Sequence, residues 1–285
     1  MNCSSARCLR LPAQRSHFSA KNLTSWSLIA LMGCAWMLRA QADAMPVRYV
    51  QGSFHGFLEL RSEGGSVVAS GDSLQSVRGD RITAETIFHF KDGSVDDETT
   101  VYTQHRTFHL ISDRHVQKGP SFPHPMDVLI DAASGMVTVR TTDKDGKAAI
   151  TSQHMTLPGD LANGLIPVVV ENMRPAEQGM TVSMVVMAPK PRVVKLLITN
   201  LGEANCSVVD VASTASHYEI KIVLGGLVGL IAPMVGKAPP NIQMWVIRGG
   251  APTFAREQGP MYAEGPVMNI HLASPVWPAV VKVGD

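Results

Sequence analysis

The sequence predicts a mainly β fold, an antiparallel meander that forms a curved sheet or open barrel with one or two short helices. Short apolar or alternating runs are separated at close intervals by turn-forming pairs such as Gly64-Gly65 and Asp92-Gly93. The runs are rich in Val, Ile, Thr and aromatic residues, which favour strands. Only two segments, residues 158–173 and 225–236, do not follow this alternation of strand-like runs and turn residues. Such spacing is typical of antiparallel meanders, sandwiches and barrels.

The first 44 residues have the features of a secretory signal peptide. An apolar stretch, Trp26 to Leu38, ends before the small-x-small cleavage signal Ala42-Asp43-Ala44. Basic residues precede the stretch: Arg7, Arg10, Arg15 and Lys21. We predict cleavage after Ala44, export to the periplasm or the extracellular space, and a single β-rich domain over residues 45–285. The apolar stretch is shorter than the roughly 20 residues of a membrane-spanning helix, so the mature chain is not predicted to span a membrane.

Two alternatives to simple cleavage remain open. The leader could stay attached as an uncleaved anchor. The stretch Leu31-Met-Gly-Cys34 resembles the lipobox of bacterial lipoproteins, and acylation of Cys34 would then anchor the protein through lipid. The position of the mature N-terminus, after Ala44 or at Cys34, is therefore not determined by the pattern.

Without the leader, the chain carries 20 Lys and Arg residues against 23 Asp and Glu residues, because five basic residues and Asp43 lie in the first 44 positions. This slight negative charge gives no basic surplus for binding nucleic acid. Cys206 is the one cysteine after position 44, so no internal disulfide is expected. We expect Cys206 to be a buried, unreactive thiol.

The stretch from Ala84 to Pro123 is the clearest β region. The run Thr99 to Val116 is about twice the usual strand length, so it predicts one long bent strand or two strands. The prolines of Lys118 to Pro123 must end the sheet in a loop. The predicted strands are Gly56 to Arg61, Ser66 to Ser70, Ile82 to Phe90, Thr99 to Val116, Met126 to Asp131, Met136 to Thr142, Lys147 to Thr156, Thr181 to Ala188, Arg192 to Thr199, Cys206 to Val211, Ser216 to Leu224, Asn241 to Arg248, Thr253 to Glu257 and Val267 to Ala273.

The two exceptional segments predict helical structure. In the first, Asp160 can cap a helix that Pro167 kinks or splits. The second, Gly225 to Gly236, is apolar on every side, and its dozen residues are too few for a membrane span, so it must be buried. We predict that it forms a lid or plug over the sheet. As a lid over a ligand groove, it would contact the ligand through Leu227, Leu230, Ile231 and Met234; the alternative is that it only closes the core.

Gly71-Asp-Ser-Leu74 matches the four-residue signature of the Gly-Asp-Ser-Leu esterases. That family also needs a late Asp-x-x-His pair to activate its serine, and no Asp stands three residues before any histidine here. We therefore interpret the stretch as a β-turn, and we predict no catalytic residue in it.

Five histidines fall within one stretch of the chain, but their spacing is not that of a zinc site. His105 and His109 would share a face on an unbroken strand. The acids Asp96-Asp-Glu98 could supply oxygen ligands, although three acids beside a hairpin turn are typical of a solvated face. We predict no metal and no cofactor. The histidines are His89, His105, His109, His115 and His124.

Three motifs resemble an uncharacterised family of secreted bacterial β-rich proteins. They are Gly-Pro-Ser-Phe-Pro at 119–123, His-Tyr-Glu-Ile-Lys-Ile at 217–222 and Ala-Pro-Met-Val-Gly-Lys-Ala-Pro-Pro at 232–240. The resemblance covers nearly all of the mature chain and implies no activity or catalytic residue. More loosely, the architecture is similar to the periplasmic lipoprotein carriers, whose curved half-barrel holds acyl chains under a helical lid.

Two classes of function follow from these patterns. The first is a non-catalytic envelope protein whose curved sheet binds a lipid, an acylated protein or another apolar ligand, with the Met-rich strand Met180 to Met187 as one adaptable wall. The second is a secreted hydrolase at the loop corner of residues 113–125, drawing on Asp113, His115 and His124. A purely structural or protein-interaction role is a further alternative, and the oligomeric state cannot be read from the sequence.

Overall fold

The computed structural model describes residues 45–142, 146–186, 188, 190–209, 211–223 and 240–274. In this part of the chain one helix and fourteen strands follow in the order β1 (Phe54–Ser62), β2 (Val67–Arg78), β3 (Arg81–Phe90), β4 (Val95–Gln104), β5 (Phe108–Lys118), β6 (Met126–Asp131), β7 (Met136–Thr142), β8 (Ala148–His154), α1 (Ile166–Asn172), β9 (Gly179–Val186), β10 (Arg192–Val208), β11 (Val211–Val223), β12 (Ile242–Ile247), β13 (Thr253–Pro260) and β14 (Val267–Ala273).

All fourteen strands belong to one antiparallel sheet. The spatial order is β8-β7-β6-β5-β4-β3-β2-β1-β14-β13-β12-β11-β10-β9, so strands that are consecutive in the sequence are neighbours in the sheet, except for β8 and β9, which lie at its two ends. β1 pairs with β14 and thereby joins the two halves of the meander. β8 and β9 are the outermost strands and do not pair with each other, so the sheet is curved but not closed. The predicted mainly β meander is confirmed.

The sheet curls because its two halves bury apolar side chains in one shared core. Strands near opposite ends of the strand order contribute to the same cluster, for example Val139 of β7 and Val182 of β9. These side chains alternate with outward-facing residues along each strand, as the two-residue period of a strand requires. The largest side chains of the shared core are Ile82, Tyr102, Phe108, Ile130, Leu161, Leu165, Met173, Ile198, Tyr218 and Met244.

The segment that connects β8 to β9, residues 155–178, lies on the concave face and is called the crossover segment below. Its helix α1 buries Val168, Val169 and Val170. Pro167 stands in the first turn of the helix, where a missing N–H costs nothing. Arg248 donates to the carbonyls of Val170 and Glu171 at the other end of the helix, 3.3 and 3.0 Å away. A basic side chain at this end suits the helix dipole.

The predicted capping role of Asp160 is wrong. Pro167 does not split a longer helix either, because the helix begins at Ile166, one residue before it. Asp160 is buried instead, and its carboxylate accepts hydrogen bonds from Ser183 Oγ at 2.7 Å and from Lys195 Nζ at 2.7 Å. This ion pair ties the crossover segment to β9 and β10.

The run from Thr99 to Val116 forms two strands, β4 and β5, separated by a bend at His105, which is one of the two predicted outcomes. Two other details of the strands differ from the prediction. Gly71, predicted in a turn, lies inside β2, and a Cβ at this position would come within 2.5 Å of the Phe88 ring. Gly202, predicted to separate two strands, lies inside β10 with a φ of 96° at a bulge in its pairing with β11. Within these strands, Gly71 therefore indicates close packing and Gly202 indicates a bulge, and neither forms a turn between strands.

The predicted lid residues Leu227, Leu230, Ile231 and Met234 lie outside the described residues. Within the part of the chain that is described, no helix has the length and apolar character needed to cross a membrane.

Candidate functional site

Ionisable side chains of β4 and β5 line the concave face below the crossover segment. The two strands pair in a register that places Glu98 beside His115 and Thr100 beside Asp113. Because side chains alternate between faces, these residues share the inner face, whereas Asp97 points the other way. We call the following set the acid–histidine cluster: Asp96, Glu98, Asp113 and His115.

Hydrogen bonds hold three of the four members in place. Thr100 Oγ1 donates to Asp113 Oδ1 at 2.8 Å. His115 Nε2 lies 3.1 Å from Asp96 Oδ1, and Gln117 Nε2 donates to Asp96 Oδ2 at 2.6 Å. Asp96 is therefore held from two sides.

The crossover segment seals the Thr100–Asp113 pair from solvent. Gly164 has a φ of 63° and passes so close that a Cβ on it would lie 1.9 Å from Thr100 Oγ1 and 2.7 Å from Asp113 Oδ1. Asp113 is only 1% exposed as a result. Glycine is required at position 164 by both its backbone conformation and this contact.

The environment favours the protonated forms of Asp113, Glu98 and His115. Burial, and then the charge of Glu98, raise the pKa of Asp113 to about 8. Burial also raises the pKa of Glu98, against the opposing effect of His115. For His115, burial works against the charge, but the hydrogen bond and charge of Asp96 outweigh it and raise the pKa to about 9. Near neutral pH the cluster therefore holds a neutral Asp113 and a charged His115 paired with Asp96.

A further carboxyl group faces the cluster from the opposite wall of the curved sheet. Glu257 of β13 lies close enough to Glu98 of β4 that their charges interact, although five strand-to-strand steps separate the two strands in the sheet. Burial raises the pKa of Glu257 to about 7.

Glu171, on α1, has its pKa raised to about 7 by burial, in spite of the hydrogen bond that it accepts from the Phe254 N–H.

Aromatic contacts connect the same two walls at one end. The Phe122 ring, in the loop after β5, lies 5.3 Å from the Phe90 ring and 5.8 Å from the Tyr262 ring, both in edge-to-face geometry. Gln117 Nε2 also donates to the Met261 carbonyl at 2.7 Å. The turn between β13 and β14 is thus packed against the corner that follows β5.

An apolar surface lies beside the ionisable groups. Leu58, Leu60, Ala69 and Phe88 are buried in the middle of the sheet, and we call them and the side chains packed on them the central apolar cluster. Phe88 pairs with Asp96 across β3 and β4, so the two kinds of surface touch. The packed side chains are only partly buried: Val68, Phe90, Phe254, Met261, Met268, Ile270 and Leu272.

The apolar core around α1 is, by contrast, almost completely filled. A small pocket there, lined by residues 45–48, β5, α1 and β9, has essentially no volume that a water-sized molecule could enter. Ligand pockets usually have volumes of about 300–1,000 Å³, so a lipid chain does not fit there. Its lining residues are Met45, Pro46, Arg48, Phe108, Val169, Asn172 and Met180.

The structure brings together only part of the predicted hydrolase site. Asp113 and His115 both point into the concave face, but His124 is exposed in the loop after β5. His89, His105 and His109 are also exposed, so they do not form a site with His115. Within the described ranges, no group of three or more His, Cys, Asp or Glu side chains could hold a metal ion.

The Gly-Asp-Ser-Leu stretch forms neither a nucleophile site nor the predicted turn. It lies within β2, and Asp72 Oδ1 forms a hydrogen bond with His55 Nε2 of β1 across the two strands, at 2.7 Å.

Cys206 lies on the other side of the sheet, away from the acid–histidine cluster. It is partly buried beside Trp245, where the far half of β10 packs against β12 and β13. Burial raises the pKa of its thiol, although Arg256 opposes this. Trp245 stacks on the His217 ring at 4.4 Å and carries the Arg256 guanidinium 4.6 Å from its centre. This environment disfavours the reactive thiolate.

Sequence reasoning missed the acid–histidine cluster. The stretch Asp96-Asp-Glu98 was interpreted as a solvated face, which is wrong for two of its three acids, because Asp96 is buried and Glu98 partly buried on the inner face. The available signal was the continuing alternation along β4, where Thr100, Tyr102 and Gln104 follow on the same face and are all buried. The match with β5 depends on the register of a strand pair, which the sequence does not specify.

Comparison with known proteins adds no assignment: no family model, no curated protein and no solved structure matches this chain. The resemblance to secreted bacterial β-rich proteins therefore stays a prediction.

Proposed function

We propose that this protein is a non-catalytic exported protein that binds an apolar ligand on the concave face of its curved sheet. The central apolar cluster carries the proposal, because its outer side chains are only partly buried in the described structure although they lie in the middle of the sheet. Burying such side chains under a ligand would contribute about 25 cal/mol for each Å² removed from water. Export rests on the leader pattern of residues 1–44.

The neighbouring carboxyl groups restrict the chemistry of this ligand. Glu257 stands beside Ile270 across β13 and β14, at the border of the apolar surface. Its raised pKa, of about 7, leaves it partly protonated at neutral pH, so it can donate a hydrogen bond as well as accept one. An anionic head group would be repelled by the ionised fraction. A neutral lipid, such as one with a glycerol head group, therefore fits better than a phospholipid or a fatty acid.

Organic extraction of the purified protein, followed by mass spectrometry, tests the proposal. We expect the wild type to yield a neutral lipid in an amount comparable to the protein. Ile270→Asn places an amide in the central apolar cluster, so this variant should lose most of the extracted lipid.

The matched control is Leu201→Asn on β10, which changes an exposed apolar side chain outside the cluster in the same way. It should retain the lipid. Equal lipid content in both variants, or a wild type with none, would contradict the proposal. Circular dichroism and thermal unfolding of both variants would separate lost binding from lost folding.

A secreted hydrolase remains the second candidate, and one observation favours it. Asp113 holds a proton up to a pH of about 8 next to the carboxyl group of Glu98, which is an arrangement suited to general acid–base chemistry. Because Gly164 covers Asp113, a substrate could reach it only after the crossover segment moved. Turnover of chromogenic esters or glycosides that disappears in Asp113→Asn would support this candidate over the first.

A further inference from the structure

The sheet ends in two outer strands, and the described chain covers the free edge of only one. At β9 the crossover segment lies alongside: Leu161 forms a parallel bridge with Ser183, and the Asn163 side chain makes two hydrogen bonds with the Val185 backbone, at 2.9 and 2.8 Å. At β8 no described residue pairs with the outer edge. Toward this side, the backbone donors and acceptors of β8 have no strand partner among the described residues.

β8 also lacks the features by which proteins usually protect such an edge. Its seven residues, Ala-Ala-Ile-Thr-Ser-Gln-His, include no proline, lysine or acid, and their pairing with β7 contains no bulge. All seven are exposed, and Ile150 is 67% exposed. A long, regular and nearly uncharged edge is the type that pairs with another strand.

The register shows which backbone groups point outward. Met155 lies opposite Gly135, one step beyond the pair of His154 and Met136. The Met155 N–H donates to the Gly135 carbonyl, so Met155 and Gly135 form a hydrogen-bonded pair. Hydrogen-bonded pairs alternate with non-bonded pairs in an antiparallel ladder. Thr151 and Gln153 therefore bond to β7, and the backbone groups of the intervening residues face the free edge. These residues are Ala148, Ile150, Ser152 and His154.

We propose that two copies of this chain pair antiparallel through β8 and form a dimer. A two-fold axis at Thr151 places Ile150 of one copy opposite Ser152 of the other, and Ala148 opposite His154. Every outward backbone group then faces a matching group, because the strand is its own partner in this register.

Charge and topology both favour a second copy as the occupant of this edge. β8 has no formally charged residue when His154 is neutral, so self-pairing sets no like charges opposite each other. Since the β9 edge is covered by the chain itself, the contact closes at two subunits and does not extend into a fibre. Pairing of one seven-residue strand buries little surface, so the dimer belongs to the weak, concentration-dependent class.

Sedimentation equilibrium of the full-length protein as it is purified from cells, at concentrations up to about 1 mM, tests the proposal. The wild type should associate to a dimer and no further. Ile150→Pro removes an N–H that faces the free edge and none that bonds to β7, so it should weaken association at least about tenfold. Ile150→Ala removes the exposed side chain but keeps the N–H, and it should associate like the wild type.

The double variant Ile150→Lys/Ser152→Lys provides a second test that leaves every backbone donor in place. It sets lysines opposite each other across the proposed contact and should also weaken association, most strongly at low salt. A wild type that stays monomeric up to the highest concentration would overturn the proposal. So would a dimer that survives both Ile150→Pro, in folded form, and the double lysine variant.

Discussion

At the scale of single residues, the unusual feature of this protein is the set of ionisable groups inside its sheet. Asp113, Glu98 and Glu257 all have pKa values raised by burial, and His115 has a raised pKa through Asp96. Burial of a carboxyl group favours its neutral form, whereas the partner of a histidine favours the charged form. All four groups therefore bind protons more tightly in the folded protein than in the unfolded chain. The fold should lose stability as the pH rises.

Asp113→Asn isolates one of these groups. The folded pKa of about 8 lies above the ordinary 3.8, so the contribution of Asp113 to stability is fully present below pH 4 and is lost between about pH 4 and 8. Asparagine keeps the acceptor for Thr100 but cannot ionise. We expect equal stability of variant and wild type near pH 4, and at pH 9 a variant more stable by about 5 kcal/mol, because each pKa unit between the two values corresponds to about 1.4 kcal/mol.

Urea unfolding at pH 4, 7 and 9 measures this difference. The wild-type curve should fall more steeply with pH than the variant curve. Parallel curves would mean that Asp113 is ionised in the folded protein at neutral pH, and this would contradict the description of the cluster.

At the scale of elements, the crossover segment determines how the concave face is filled. It covers the β9 edge, places α1 in the shared core and seals Asp113 under Gly164. We expect Gly164→Ala to lower the free energy of unfolding by about 3 kcal/mol or more, because the new Cβ overlaps Thr100 and the positive φ disfavours alanine.

Gly79→Ala is the matched control. Gly79 has nearly the same φ, 66°, but a Cβ there would meet no atom within 4 Å. It should cost only about 1 kcal/mol, the conformational part of the effect. Chemical denaturation of both variants measures the difference. Equal losses would show that the crossover segment does not pack on Thr100 as described.

The elements also show why the fold was easier to predict than the site. β6, β7 and β14 begin and end where the pattern of apolar and turn residues predicts. Glycines were misleading where they serve packing, as at Gly71, or a bulge, as at Gly202. Local sequence predicted helical structure within residues 158–173, where α1 lies, but its packing in the shared core depends on the curl of the whole sheet. The acid–histidine cluster was missed for the same reason.

At the scale of the whole molecule, a fourteen-stranded sheet curls until β4 and β13 face each other across an interior that is partly acidic and partly apolar. The crossover segment, with its helix α1, fills the part of this interior that contains the shared core. The central apolar cluster remains partly accessible, and the proposed ligand would bind there. The concave face is thus divided between a filled apolar core and an accessible apolar surface.

Methyl NMR of the delipidated protein during titration with monolaurin, a neutral lipid with a glycerol head group, tests this claim most directly. We predict saturable shifts of the Ile270 and Met268 methyl signals, which belong to the central apolar cluster. The methyl signals of Ile130 and Ile198, in the filled core, should stay unchanged. Unchanged Ile270 and Met268 signals at saturating lipid, or equal shifts in both groups of methyls, would contradict the claim.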